Sequence, residues 1–152
     1  MVTMDLRPRP ELGDLCCRLK GMGCHVTVET SGVLFVPGLA CDLMSISPKP
    51  GCLEAARGGS ADSHLEPIRQ LMGEYDHQLK LVVHTPTTAV QIQGLLDRLG
   101  GVDPRRVMLM PRAQTRDELL ANSPRVAQMC LDHGWVFCQR LQVLLWDGQR
   151  GR

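Results

Sequence analysis

Short apolar strand patterns alternate with amphipathic helical patterns along almost the whole chain. Segments rich in β-branched and apolar residues occur at residues 24–32, 42–47, 78–84 and 106–111. Segments whose apolar residues recur every three or four positions occur at residues 11–20, 64–75, 88–99 and 117–133. Such alternation implies right-handed crossovers and a mostly parallel sheet. We therefore predict an α/β fold.

The pattern also makes specific predictions for individual segments. The first helix places its apolar residues on one face, at Leu12, Leu15, Cys16 and Leu19. Thr85 or Thr87 is expected to cap the helix over residues 88–99, with Val90 on its apolar face. The helix over residues 117–133 includes Leu120 in its apolar set and is expected to end at Gly134. Residues 135–146, WVFCQRLQVLLW, are predicted to form a strand or a pair of strands.

Composition excludes several classes of function. The chain has 152 residues, which is the size of a single domain, and we assign residues 1–152 to one domain with a flexible loop at residues 50–62. The net charge of +1 and the aromatic content of 3% give no sign of a nucleic-acid surface. No membrane-spanning run or secretory signal is evident in the sequence, so we expect a cytoplasmic protein without a membrane partner.

Residues that could bind a metal are numerous but scattered. The seven cysteines do not form the compact pairs typical of zinc or iron–sulfur sites, so we interpret them mainly as reduced core or surface thiols. The five histidines are spread over different segments. Glu29, Glu74 and Asp76 are candidates for paired acid–base carboxylates, but such residues are more often solvated charges. We therefore predict no metal site and no catalytic residue from these side chains.

Three strand patterns end in unusual residues, ETSG, SPK and MPRA. In a parallel sheet the carboxyl ends of the strands meet at one edge, where ligands of α/β proteins bind. Lys49 would then be either a solvated charge or a ligand for an anion. The alternative explanation is that glycine and proline simply end the strands.

Five segments in this order resemble the 7-carboxy-7-deazaguanine synthases, a family of radical S-adenosylmethionine enzymes. The segments are ELGDLCCRLKGMGCHVTVETSG, DLMSISPKP, EYDHQLKLVV, VMLMP and GWVFCQRLQVLLWDGQRG. The resemblance implies part of an incomplete (β/α) barrel of the radical S-adenosylmethionine type. It also implies a lyase of queuosine biosynthesis that converts 6-carboxy-5,6,7,8-tetrahydropterin into 7-carboxy-7-deazaguanine.

The resemblance further implies the cofactors and the residues that contact them. The cofactors would be S-adenosylmethionine, a 4Fe-4S cluster and Mg²⁺, and the partners would be the pterin substrate and a second copy in a homodimer. Thr30 would contact the pterin. The residues expected to contact S-adenosylmethionine are Gly32, Ser47, Pro48, Lys49, Met110, Pro111, Arg112 and Ala113.

The chain departs from the family pattern in its first residues. It has neither the CxxxCxxC motif that binds the cluster nor the GGEP strand end, although Val2 and Thr3 resemble the start of VTGGEP. We therefore expect a C-terminal portion of such an enzyme that is inactive alone. The alternative is a non-catalytic α/β binding or interaction domain derived from the same fold.

Overall fold

A five-stranded, entirely parallel sheet forms the centre of the computed structural model, which describes residues 10–49, 52, 64–147 and 149. The strands are β1 (Thr27–Thr30), β2 (Leu43–Ile46), β3 (His77–Val83), β4 (Val107–Pro111) and β5 (Val136–Phe137), and they lie in that order across the sheet. The helices are α1 (Pro10–Gly21), α2 (Glu66–Glu74), α3 (Ala89–Arg98), α4 (Arg116–His133) and α5 (Leu141–Trp146). The predicted α/β fold with a mostly parallel sheet is confirmed, and it fits a part of an incomplete barrel.

Strands that are consecutive in the sequence are also adjacent in the sheet. After each strand, a loop or helix returns the chain to the edge of the sheet where the strands begin. The predicted helices and the first four strands are found with ends shifted by at most three residues. The predicted loop at residues 50–62 lies outside the described residues except for Cys52, and Val2 and Thr3 also lie outside them. Within the described part, no helix is both long and apolar enough to cross a bilayer.

Alternate residues of the strands form one row that packs against the four longer helices. Burying such a row supplies most of the stabilisation of a sheet of this kind, at about 25 cal/mol for each Å² of apolar surface. Residues of the row with almost no exposed surface are Met44, Ile46, Leu79, Leu81, Val83, Val107 and Leu109. They contact helix residues that include Cys16, Ile68, Leu71, Ile92, Leu95, Leu96, Val126 and Cys130.

Asp42 joins the end of α1 to the start of β1. Its carboxylate accepts hydrogen bonds from the Lys20 ammonium and from the backbone N–H of Val26, at 2.7 Å for the latter. The hydrogen bond from Lys20, followed by that from Val26, holds the pKa of Asp42 below its ordinary value. The contact lies at the amino-terminal side of β2, away from the edge where the strand ends carry the motif residues.

Helix ends follow ordinary capping chemistry, with one correction to the sequence prediction. The cap of α3 is Thr88, whose hydroxyl accepts from the N–H of Gln91, while the Gln91 side chain accepts from the N–H of Thr88. Thr85 and Thr87 are therefore not the cap, and the Thr87 hydroxyl instead accepts from the N–H of His84. The predicted end of α4 at Gly134 is confirmed, and this glycine has a φ of 70°.

Three apolar residues assigned to buried helix faces are exposed. Leu15, Val90 and Leu120 retain 52%, 80% and 53% of their surface. Val90 lies in the first turn of α3, and Leu120 lies beside the buried Leu119. A helix of 3.6 residues per turn turns such a neighbour by about 100° away from the core.

The prediction of a strand or strand pair at residues 135–146 is correct only for β5 and wrong for the rest of the segment. Only Val136 and Phe137 are in a strand, and Leu141–Trp146 forms helix α5. The Arg116 guanidinium donates to the carbonyl oxygens of Leu144 and Leu145, at 2.8 and 3.2 Å. These contacts satisfy carbonyl groups at the end of a short helix that cannot bond within it. The tertiary partner on α4 therefore favours helix in a segment whose alternating apolar residues resemble a strand.

Candidate functional site

All five strands point the same way, so their carboxyl ends lie along one edge of the sheet. The ETSG and MPRA segments include the last two residues of β1 and β4, and the SPK segment follows β2, so all three lie at this edge. The segments after β1 and β2 are neighbours, whereas β3 separates them from the segment after β4. At a spacing of about 4.8 Å between strands, β2 and β4 lie roughly 10 Å apart.

A tight turn follows β1 at Thr30 and Gly32. The N–H of Gly32 donates to the Thr30 hydroxyl at 3.1 Å, and Gly32 has a φ of 74°. A Cβ at this position would lie 2.5 Å from Ile68 Cγ1 and 3.2 Å from Ile46 Cγ2. Both backbone conformation and packing therefore require glycine here, independently of any cofactor.

The SPK segment continues directly from β2 and is bonded to both neighbouring strands. The N–H of Ser47 donates to the carbonyl oxygen of Thr30 at 2.7 Å, and its hydroxyl donates to the carbonyl oxygen of Lys80 at 2.9 Å. Pro48 is buried and Lys49 is exposed. Ser47 thus joins the ETSG and SPK segments, and Lys49 extends from the edge that they form.

The residues Met110–Ala113 divide between the edge and the interior. Met110 is half-buried and Pro111 is buried at the end of β4. The side chain of Ala113 is buried with Leu119 and Val143 in a small second core, so it does not line the edge. Ala113 can therefore face a ligand only through its backbone.

Arg112 borders a cleft of about 510 Å³ beyond the ends of β3 and β4. Its guanidinium lies 2.9 Å from Nδ1 of His84, and its carbonyl oxygen accepts from the side chain of Asn122 at 3.0 Å. The cleft is lined by His84, Thr85, Pro86, Arg112, Gln114, Glu118 and Asn122. Sequence reasoning identified only Arg112 of these residues, because the others become neighbours through the loop after β3 and the start of α4.

A group of polar side chains lies on the sheet face opposite the helices, and we call Glu29, Ser45, Gln78 and Lys80 the polar face. Glu29 and Ser45 are register partners, as are Ser45 and Gln78. Lys80 Nζ lies 2.9 Å from Glu29 Oε1, which joins β1 to β3 across β2, and the Gln78 amide donates to the Ser45 hydroxyl at 3.0 Å. Sequence reasoning missed Lys80, although polar residues at a period of two within QLKLVV were the available signal.

The remaining candidate carboxylates each have a separate environment. Glu29 pairs with Lys80, and Asp76 pairs with Arg106, whose hydrogen bond lowers the pKa of the Asp76 carboxyl. Glu74 is exposed at the end of α2. The structure does not present these residues as a hydrogen-bonded acid–base pair.

All seven cysteines lie in the described residues and are unpaired thiols. Burial raises the pKa of Cys16, Cys41, Cys52 and Cys130, which opposes the thiolate form that a metal requires. Among the described residues there is no group of three or more His, Cys, Asp or Glu side chains that could hold a metal ion. These residues therefore do not fit a 4Fe-4S cluster.

Two curated proteins match the chain over most of its length. The chain is 33% identical over 151 residues to a 7-carboxy-7-deazaguanine synthase of Halobacterium salinarum, a match that covers 86% of this chain. It is 31% identical over 147 residues to the 7-carboxy-7-deazaguanine synthase of Rhodopirellula baltica, covering 88% of this chain. The predicted resemblance is confirmed.

The match to the 7-carboxy-7-deazaguanine synthases covers a smaller share of these two relatives than of this chain. The chain spans only 57% and 55% of the lengths of these two relatives. No family model matches the chain, and no solved structure matches it. The likeness thus concerns sequence over about half of each relative, and the roles of individual residues stay predictions.

Proposed function

We propose that this chain supplies one wall of the binding site for S-adenosylmethionine and substrate in an enzyme of the 7-carboxy-7-deazaguanine synthase type. The observation that carries the proposal is the position of the ETSG, SPK and MPRA segments at one edge of a parallel sheet. Ligands of α/β proteins bind at that edge. The reaction of the whole enzyme would be the conversion of 6-carboxy-5,6,7,8-tetrahydropterin into 7-carboxy-7-deazaguanine.

The chemistry of the edge suits S-adenosylmethionine. This cofactor has a carboxylate at one end and an apolar-faced adenine at the other. Lys49 is exposed at the edge, where an ammonium can bind the carboxylate, and Met110 offers an apolar surface on β4. Ser47 serves to position Lys49, since its N–H and hydroxyl are already bonded to β1 and β3.

The described residues give no corresponding support for the cluster or for Mg²⁺. When bound together, S-adenosylmethionine and a 4Fe-4S cluster supply radical chemistry that no protein side chain replaces. The role of this chain is therefore to bind and orient the cofactor and substrate. After anaerobic reconstitution of this chain with iron and sulfide, the absorption spectrum is not expected to show the intensity of one 4Fe-4S cluster per chain.

Calorimetric titration of the chain with S-adenosylmethionine tests the proposal. Lys49→Ala is expected to weaken binding about tenfold, because a hydrogen bond to a charged group contributes roughly 1.5 kcal/mol or more. The matched control is Lys20→Ala, which removes a lysine at the opposite end of the sheet and is expected to leave binding unchanged. Folding of each variant is verified by circular dichroism.

Absence of binding at millimolar S-adenosylmethionine by the folded chain contradicts the proposal. That result favours the alternative, a non-catalytic α/β domain, since Gly32 and Ser47 already have structural contacts that do not need a cofactor. The homodimer stays a prediction, which sedimentation of the chain over a range of concentrations tests.

A further inference from the structure

The polar face carries a largely buried ion pair between Glu29 and Lys80. Glu29 and Lys80 keep 24% and 15% of their side-chain surface exposed, so both are largely withdrawn from water. Removing two charges from water is costly, and an apolar pair of similar volume is often at least as stable. Val82 and Met108 on the same sheet face show that apolar residues are accommodated there.

The two side chains present their hydrogen-bonding groups side by side. A carboxylate accepts hydrogen bonds through two oxygens, and an ammonium donates up to three. With Lys80 Nζ 2.9 Å from Glu29 Oε1, the pair offers acceptor, acceptor and donor in sequence. A guanine-type edge offers the complementary order, namely an exocyclic amino group, a ring N–H and a carbonyl oxygen.

The surroundings of the ion pair suit a flat ring. Met108 is the register partner of Lys80 on β4, and Val82 follows two residues later on β3. Both side chains are half-buried on this face. An apolar surface beside one polar edge is the arrangement expected for an aromatic heterocycle with its hydrogen-bonding groups on one side.

We infer that Glu29 and Lys80 recognise the 2-amino-4-oxo edge of a bicyclic heterocycle, with Glu29 selecting for the amino group. This inference rests on the proposed function, because 7-carboxy-7-deazaguanine and its pterin precursor share that edge. Glu29 accepts from the amino group and the adjacent ring N–H, and Lys80 donates to the carbonyl oxygen. The hydrogen bond from Gln78 to Ser45 joins β3 to β2, the strand between the two members of the pair.

Fluorescence titration of the full chain with two ring systems tests the inference. Pterin-6-carboxylate carries the 2-amino group, and lumazine-6-carboxylate has a carbonyl oxygen in its place. The wild type is expected to bind the pterin at least tenfold more tightly, because the lumazine oxygen would face the Glu29 carboxylate. Glu29→Gln is expected to reduce this preference to threefold or less.

Two further variants separate recognition from a merely structural ion pair. Lys80→Met is expected to lower the affinity for both ligands by a similar factor of about ten, since both ligands present the carbonyl oxygen to Lys80. Glu66→Gln is the matched control, because Glu66 pairs with Arg69 on the exposed face of α2. This control is expected to leave both affinities unchanged.

Wild-type chain that binds neither ligand, or that binds both equally, overturns the inference without any variant. An unchanged preference in folded Glu29→Gln also overturns it. An equal loss of affinity for both ligands in Glu29→Gln identifies the ion pair as structural and likewise overturns the inference. Titration with S-adenosylmethionine is scored separately, so selective pterin binding without cofactor binding contradicts only the cofactor part of the proposed function.

Discussion

Gly32→Ala tests whether packing alone accounts for the glycine of the ETSG turn. The substitution places a methyl group 2.5 Å from Ile68 Cγ1 and 3.1 Å from Ile68 Cδ1, with Ile46 Cγ2 at 3.2 Å. It also puts alanine at a φ of 74°. Two separate penalties are therefore expected, one from the backbone and one from the contact with α2.

The magnitudes of the two penalties can be estimated separately. An L-residue in the left-handed region loses about 1–2 kcal/mol relative to its usual conformation. Forcing an extra methyl group into a packed core costs about 1–3 kcal/mol. Gly32→Ala should therefore lower the free energy of unfolding by roughly 2–5 kcal/mol. This is a large fraction of the about 5–15 kcal/mol typical of a domain.

Gly38→Ala isolates the backbone penalty. Gly38 has a φ of 69°, and no atom lies within 4 Å of a Cβ built there, so only about 1–2 kcal/mol should be lost. Ile68→Ala removes the two closest atoms, Cγ1 and Cδ1, and leaves Ile46 Cγ2 at 3.2 Å. In that background Gly32→Ala should cost little more than Gly38→Ala, which gives a coupling energy of about 1–3 kcal/mol between Gly32 and Ile68.

Urea unfolding followed by circular dichroism measures the three single variants and the double variant. Equal losses for Gly32→Ala and Gly38→Ala, or additive effects of Gly32→Ala and Ile68→Ala, would refute the packing explanation. If Gly32→Ala also abolished S-adenosylmethionine binding while folding normally, close approach of a cofactor would become the better reason for the glycine.

Three further tests probe the fold at separate places. The wild type should lose more thermal stability than Asp42→Asn when the pH is lowered from 6 to 3. The reason is the lowered pKa of Asp42: its carboxylate stabilises the fold above about pH 4, and this stabilisation is lost as the pH falls through the pKa of the folded state. Melting curves of both proteins at the two pH values measure this, and equal losses contradict it. Thr88→Ala should cost about 1 kcal/mol in urea unfolding through the lost helix cap, whereas the exposed Thr85→Ala should change little. Leu81→Ala should cost about 2–5 kcal/mol and Leu120→Ala less than about 0.5 kcal/mol, since only the first side chain is buried; similar values for the two would contradict the assigned core.

Elements with strong periodicity were predictable, and the reason is local. In β3, Leu79 and Leu81 alternate with the polar residues Gln78 and Lys80, and this alternation was sufficient to locate the strand from its own sequence. The end of α4 was equally predictable, because Gly134 adopts the left-handed conformation that few other residues tolerate.

Elements that depend on distant partners were not predictable in the same way. Leu141, Val143 and Leu145 alternate as in a strand, yet they lie in α5, whose final carbonyl groups bind Arg116 from another helix. The cleft beside Arg112 is similar, since His84 and Asn122 approach it from separate elements. Local patterns carry no information about such contacts.

The strand-end motifs have structural uses that must be separated from their use in binding. Ser47 joins three strands through its N–H and hydroxyl, and the Thr30 hydroxyl accepts from the N–H of Gly32. A sheet with these turns would favour such residues even without a ligand. A binding wall is therefore distinguished from a merely structural sheet by affinity measurements at its charged side chains. Lys49 at the exposed edge and Glu29 in the ion pair with Lys80 are the informative positions, because a substitution there that leaves the chain folded should still weaken ligand binding.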